Sequence, residues 1–143
     1  MPTSGEQGPD LLVDTSVAVA LAVGDHEHHA TALEALAHRR LGLAGHAAFE
    51  TFSVLTRLPP PARRTPEAVA RLLASNFPHS RYLGPGATAQ LFERLARAGI
   101  AGGSVYDALV GAAAVEHDLH LATRDRRALD TYRKLDVQVE LLA

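Results

Sequence analysis

The chain has no cysteine, which rules out a disulfide framework, a thiolate metal site and a thiol nucleophile together. That fits a cytosolic protein and predicts a cytoplasmic location. Lysine is almost missing too: of 14 basic residues only Lys134 is lysine, the rest being arginine, and the net charge is −2. A chain so balanced is no polycation, so any grip on an anionic polymer must come from a local patch. No apolar stretch is long enough to span a bilayer, and residues 1–9, MPTSGEQGP, have neither the basic start nor the apolar centre of a secretory signal. The expectation is a soluble protein with no membrane partner. Aromatics are sparse, with three tyrosines and four phenylalanines, most of the latter on apolar helix faces, so no aromatic platform for stacking bases is visible. Also absent are a G-x-x-x-x-G-K-[ST] phosphate loop and a G-x-S-x-G nucleophile elbow. Ser16 stands where a D-x-D phosphoaspartate chemistry needs an acid.

What remains is the make-up of one globular domain. A chain of 143 residues with 47% hydrophobic and 21% charged side chains can bury a single sizeable core. Short aliphatic runs alternate with longer helical segments, which predicts an α/β fold with a central, mostly parallel sheet. The strands are read at LLV (11–13), LGLA (41–44), a short RYL (81–83), LHLAT (119–123) and VQVELL (137–142), the last alternating like an edge strand. Between them lie helical patterns. One or two run from Ser16 to Arg40, interrupted near Gly24 and Asp25. HAAFETFSVLTRL follows, with Phe49, Phe52 and Leu55 at three-residue spacing and a stop at Pro59, Pro60 and Pro61. TPEAVARLLASNF starts with Thr65 as N-cap and Pro66 at the first helical position, and TAQLFERLARAG ends at Gly99. A small-residue helix follows GGS at 102–104 and can pack close to the sheet, and RDRRALDTYRKL follows the LHLAT strand.

Acids sit at telling places on this scaffold. Asp14 lies just past the first strand and Asp125 two residues past LHLAT, and open parallel sheets bind ligands beyond the carboxyl ends of their strands. Glu50 falls in the first or second turn of its helix and Asp107 in the first turn of another; in a right-handed topology both helices begin above those strand ends. Four converging carboxylates repel and raise one another's pKa unless a cation intervenes. A hard divalent ion, Mg²⁺ or Mn²⁺, suits a cysteine-free, solvent-open cluster of oxygen donors.

Each acid also has an ordinary role. Ser104 and Asp107 form an S-x-x-D capping box, Glu50 can complement a helix dipole, Asp125 can cap the RRALD helix, and Asp14 can cap the helix that follows it. In GDHEHH (24–29), His26 and His29 have helical spacing for a transition metal, but a polar loop beside a helix start is the favoured, noncatalytic reading. The arginine pairs at 39–40 and 63–64 and the RDRR run at 124–127 suit phosphate, and solvated surface arginine accounts for them equally well.

Taken together, LLVDTSVAVAL, AGHAAFETFSVLTRL and GGSVYDALVGAAAVEHDLHLATRD resemble, in order and spacing, the three acidic motifs of PIN-domain ribonucleases, most closely the small VapC-type toxins of bacterial toxin-antitoxin systems. The resemblance runs from about Leu11 to the C-terminus and is most specific in the third motif. By this resemblance Asp14, Glu50, Asp107 and Asp125 match the catalytic, metal-holding quartet, and Thr15, Ser16 and Thr123 match hydroxyl positions supporting the metal shell. It implies a three-layer α/β/α PIN-like fold and a Mg²⁺- or Mn²⁺-dependent endoribonuclease acting on RNA. It also implies a homodimer, and a cognate antitoxin whose basic segment fills the acidic crevice. In the family the first acid lies within a few residues of the start, so residues 1–10 read as a flexible extension ahead of a PIN domain over 11–143. The competing class is a noncatalytic PIN-like interaction or metal-binding domain, which RNA turnover with metal and with EDTA separates from the enzyme.

Overall fold

The computed structural model describes residues 10–143. The extension expected at the front therefore lies outside the described residues except for Asp10, which opens the first strand. In chain order the elements are β1 (Asp10–Val13), α1 (Thr15–Ala22), α2 (His29–Leu36), β2 (Arg40–Leu43), α3 (His46–Thr56) and α4 (Pro66–Asn76). They continue with α5 (Pro85–Ala98), α6 (Ser104–Glu116), β3 (Leu121–Thr123), a 3₁₀ turn (Arg126–Ala128), α7 (Leu129–Lys134) and β4 (Val139–Leu141). The strands form one parallel sheet in the order β2-β1-β3-β4. No helix among the described residues is long and apolar enough to cross a membrane.

Local chemistry explains the boundaries. Thr65 accepts a hydrogen bond from Ala68 N at 3.2 Å with Pro66 in the first turn, so α4 starts where the sequence places it. Gly99 closes α5 at φ 69°, a left-handed conformation that costs glycine little. The RYL segment is a correction: it forms no strand, and Pro78 and Arg81 make only isolated bridges to Gly42 and Ala44.

Alternation along β1 builds the three layers. Leu11 and Val13 face a core with Val17, Leu36, Leu55 and Val69, whereas Leu12 faces the opposite core with Val110, Leu121 and Tyr132. Every one of these β1 side chains is fully buried, as strands covered on both faces by helices require. On the second face Gly111 matters because a Cβ there would stand 3.0 Å from Val137 and 3.1 Å from the Tyr132 ring. The missing side chain lets α7 close onto α6, and this carries Tyr132 under the sheet's carboxyl edge.

The strand order sets the site. The chain leaves β1 toward β2 on one side and returns to β3 on the other, so the order reverses between β1 and β3. Crevices in open parallel sheets form at that reversal, beyond the strand C-termini.

Candidate active site

Asp14 stands at that point, directly after β1, and caps α1. It is 4% exposed, and both of its oxygens are occupied. Oδ1 accepts from Ser16 Oγ at 2.6 Å and Val17 N at 3.3 Å; Oδ2 accepts from Tyr132 OH at 2.9 Å and from Thr123 Oγ1. Burial pushes its carboxyl above the usual range, and the bonds from Ser16, Thr123, Tyr132 and Val17 draw it back. The two small hydroxyls do a second job. Ser16 Oγ accepts from Arg124 N at 2.8 Å and Thr123 Oγ1 from Asp125 N at 3.0 Å, so they tie the β3 exit to the β1 exit.

Glu50 comes from the second turn of α3 and accepts from Thr15 Oγ1 at 2.9 Å. Asp125 caps the 3₁₀ turn, its Oδ1 accepting from Arg127 N at 3.0 Å. The Arg127 side chain reaches the same oxygen at 3.4 Å, but it is 93% exposed and screened by water, so the pair adds little.

Asp107 differs from the other three. The capping box expected from Ser104 does not form: Gly103 occupies the cap, Ser104 is the first helical residue, and no side chain bonds the helix start. Among the described residues the Asp107 carboxylate takes no hydrogen bond. Burial first, then the negative charges of Asp125, Glu50 and Asp14, push its pKa up to about 6, with Arg127 opposing weakly. Asp125, Glu50 and Asp14 thus all lie near enough for their charges to bear on Asp107.

The described residues contain no group of three or more acid or histidine side chains already closed into a metal cage. The donor set nonetheless fits a hard divalent cation. Both oxygens of Asp107, Oε2 of Glu50 and Oδ2 of Asp125 take no hydrogen bond among the described residues, and all are oxygen donors of like charge. Asp14 is the exception, since four donors fill roughly the four lone-pair directions a carboxylate has. It can reach a cation only if a hydroxyl donor turns away.

Other residues singled out in the sequence are spent locally. His29 Nδ1 lies 2.9 Å from the Ala20 carbonyl and His26 Nδ1 accepts from His28 N at 3.0 Å, so the GDHEHH loop is pinned to the end of α1. Arg63 and Arg64 donate to the carbonyls of Leu58 and Ala22, and Arg39 pairs with Glu140.

Two features escaped the sequence reading. Tyr132 holds Asp14 directly, and its one signal was an aromatic residue inside the polar run DTYRK. The second is a group of rings at the crevice rim. Phe49 is 67% exposed rather than part of the core, and it neighbours His46, which stacks on Tyr106 at 5.2 Å between centroids. Tyr82 meets Phe49 edge-on at 6.5 Å. An aromatic platform therefore exists where none was expected, because it is assembled from three separate segments.

Comparison with known proteins places this arrangement. The family model of the PIN domain matches residues 11–134. Ribonuclease VapC27 of Mycobacterium tuberculosis (strain ATCC 25618 / H37Rv) is 50% identical over 135 residues, covering 94% of this chain and 98% of its own. Ribonuclease VapC40 of the same species (strain CDC 1551 / Oshkosh) is 48% identical over 131 residues, covering 90% and 96%. In the crystal structure of VapBC2 from Rickettsia felis bound to a promoter DNA fragment, the matching chain superposes with a TM-score of 0.68 at 14% identity, covering 94% of this chain and 99% of that one. The fold is thus shared well beyond the range of sequence likeness, while the full-length identity to the two ribonucleases ties the chain to a narrower group. It belongs to the PIN-domain family, in its VapC branch.

Proposed function

We propose that this protein is a Mg²⁺- or Mn²⁺-dependent endoribonuclease, the toxin of a toxin-antitoxin pair. The observation that carries the reading is Asp107: a half-buried carboxylate without a hydrogen bond, facing three more acids, costs stability that a bound cation would restore. Its relatives' names, Ribonuclease VapC27 and VapC40, support the substrate class. In this reading Asp107, Glu50 and Asp125 hold the metal through their unbonded oxygens, and Asp14 joins them from the floor of the crevice. A divalent cation held by these residues would supply a more acidic water and charge neutralisation at the phosphodiester.

The chain's own residues do the positioning. Thr15 holds Glu50 in place, and Ser16, Thr123 and Tyr132 hold Asp14 at the crevice floor, where one hydroxyl must turn away for Asp14 to reach the cation. With its pKa raised to about 6, Asp107 keeps part of its proton population across the mildly acidic range, and a neighbouring cation would shift that equilibrium toward the ionised form. The acidic crevice also suits the arginines of a small antitoxin, in keeping with the VapBC and FitAB assemblies among the structural neighbours. A homodimer is part of the same proposal.

Cleavage of RNA by the purified, partner-free chain with Mg²⁺ or Mn²⁺, abolished by EDTA and by Asp107→Asn, is the expected result. A folded wild-type chain that leaves total RNA intact with either metal overturns the enzyme in favour of a noncatalytic PIN-like domain.

A further inference from the structure

Beside the acid crevice lies a cleft of about 330 Å³, whose lining includes Thr15, His46, Phe49, Glu50, Ser53 and Arg57. Four of these residues, together with Glu50, form a stripe along one helix: His46, Phe49 and Ser53 on α3 and Arg57 at its C-cap follow at intervals of three and four residues. One end of the cleft is the acid cluster, where Thr15 bonds Glu50 at 2.9 Å. The other end is the Arg57 guanidinium, which donates to Ser53 Oγ at 3.3 Å and has no carboxylate partner among the described residues. From Glu50 to Arg57 the helix rises roughly 10 Å. At the acid end, one residue and four residues before Glu50, stand the exposed rings: Phe49 at 67%, with His46 tilted toward it at 6.4 Å and backed by Tyr106 at 5.2 Å and an interplanar angle of 22°.

We propose that this cleft holds one unpaired nucleobase of single-stranded RNA, stacked on Phe49 and His46, next to the phosphate cut at the acid cluster. The inference rests on the ribonuclease reading above and specifies its substrate. An occupant must bring a flat π face at the acid end and anionic charge further along, to meet the rings and, roughly 12 Å of helix rise away, the Arg57 charge. An RNA strand brings both, and unstacked bases are bound on aromatic side chains near cationic groups. A protein helix fits less well, because the cleft wall alternates carboxylate, hydroxyl, ring and guanidinium. The continuous apolar wall such a helix needs is found instead in the neighbouring groove between α3 and α4, lined by Phe52, Leu73 and Phe77. A base held beside the acids makes single-stranded regions the substrate and excludes paired ones, whose bases are stacked on their neighbours.

The test uses a single-stranded RNA carrying 2-aminopurine next to the cut site, and the paired duplex of the same sequence. Binding is read by fluorescence quenching in an Asp107→Asn background that does not cleave, and cleavage kinetics are read in the otherwise wild-type chain. Phe49→Ala should weaken single-strand binding about tenfold, the scale of one lost stack, and raise KM with kcat nearly kept. Phe49→Tyr should restore both, and Phe49→Leu, apolar but without a π face, should not. Phe92→Ala, which removes a still more exposed ring on α5, should change neither. Melting curves confirm that each variant folds.

Restoration by Phe49→Leu, or an unchanged KM in a cleaving Phe49→Ala, overturns the stacking subsite and leaves the nuclease intact. So does light scattering in which Phe49→Ala splits a dimer without altering the quench, which would make the rings a protein interface. Conversely, a wild type that quenches the probe through Phe49 yet never cleaves overturns the nuclease and keeps the base-binding cleft.

Discussion

Asp10 and Asp14 stand at opposite ends of the same strand and are compensated in opposite ways. At the end where the strands begin, acids meet arginines. Asp10 lies 3.1 Å from Arg40 and 3.5 Å from Arg81, and Glu140 takes Arg39 at 3.0 Å and His120 at 3.0 Å. At the end where the strands finish, Asp14 and Glu50 meet hydroxyls, Asp125 meets a backbone N–H and one exposed arginine, and Asp107 takes no hydrogen bond among the described residues and faces mainly other acids. A fold selected for stability alone would pair both ends alike. The difference is what marks the acid crevice as the candidate site, since charge left unbalanced in a crevice is the arrangement a bound cation would relieve.

The two ends also respond to pH with opposite sign. Hydrogen bonding to Arg39 holds Glu140 below its usual range, so it contributes stability that is present above the unfolded pKa and is lost as pH falls through the folded one. Asp107 is raised from 3.8 to about 6, so the native state keeps its proton longer than the unfolded chain does. Metal-free stability from that group therefore declines as pH rises from about 4 to 6.

Substitutions at the two ends sharpen the contrast, and the largest effect is expected at Asp107. Asp107→Asn should cut RNA cleavage by on the order of a hundredfold or more, beyond the ~10–100-fold usual for groups that merely support a metal ligand. In EDTA at neutral pH the same variant should melt no lower than wild type, since it removes repulsion and no hydrogen bond. Tyr132→Phe comes next. It removes one donor to Asp14, and metal affinity measured by calorimetry should fall within that ~10–100-fold range, with a stability loss of about 1 kcal/mol. The smallest effect belongs to the paired end. Glu140→Gln should cost up to about 1 kcal/mol at pH 7 in urea melts, fading toward pH 4, with RNA cleavage unchanged. Equal losses of cleavage in Glu140→Gln and Asp107→Asn would break the comparison.

Much of this site was legible because its acids keep fixed offsets from element ends. Asp14 and Asp125 follow strands, Glu50 and Asp107 open helices, and parallel topology brings all four ends to one edge. The rest depended on distances that the chain does not display. Tyr132 reaches Asp14 across 118 residues, and only because Gly111 leaves room for its ring. Phe49 was read with Leu55 as one apolar face, yet six residues at 3.6 per turn set them about 120° apart around the helix. Leu55 takes the core at 0% exposure, and Phe49 is turned out to the crevice rim. The failed capping box has a similar cause: Gly103 takes the cap with no side chain, one residue before the serine that the motif requires.

The most direct test of the central claim is thermal unfolding of the purified, partner-free chain at pH 7.5, with EDTA and with Mg²⁺ or Mn²⁺, in wild type and Asp107→Asn. The account predicts that metal raises the wild-type melting temperature, by the equivalent of about 2.7 kcal/mol at a hundred times Kd, and that Asp107→Asn loses most of that rise. A wild type whose melting ignores both metals, or a variant that responds as strongly as wild type, would contradict it.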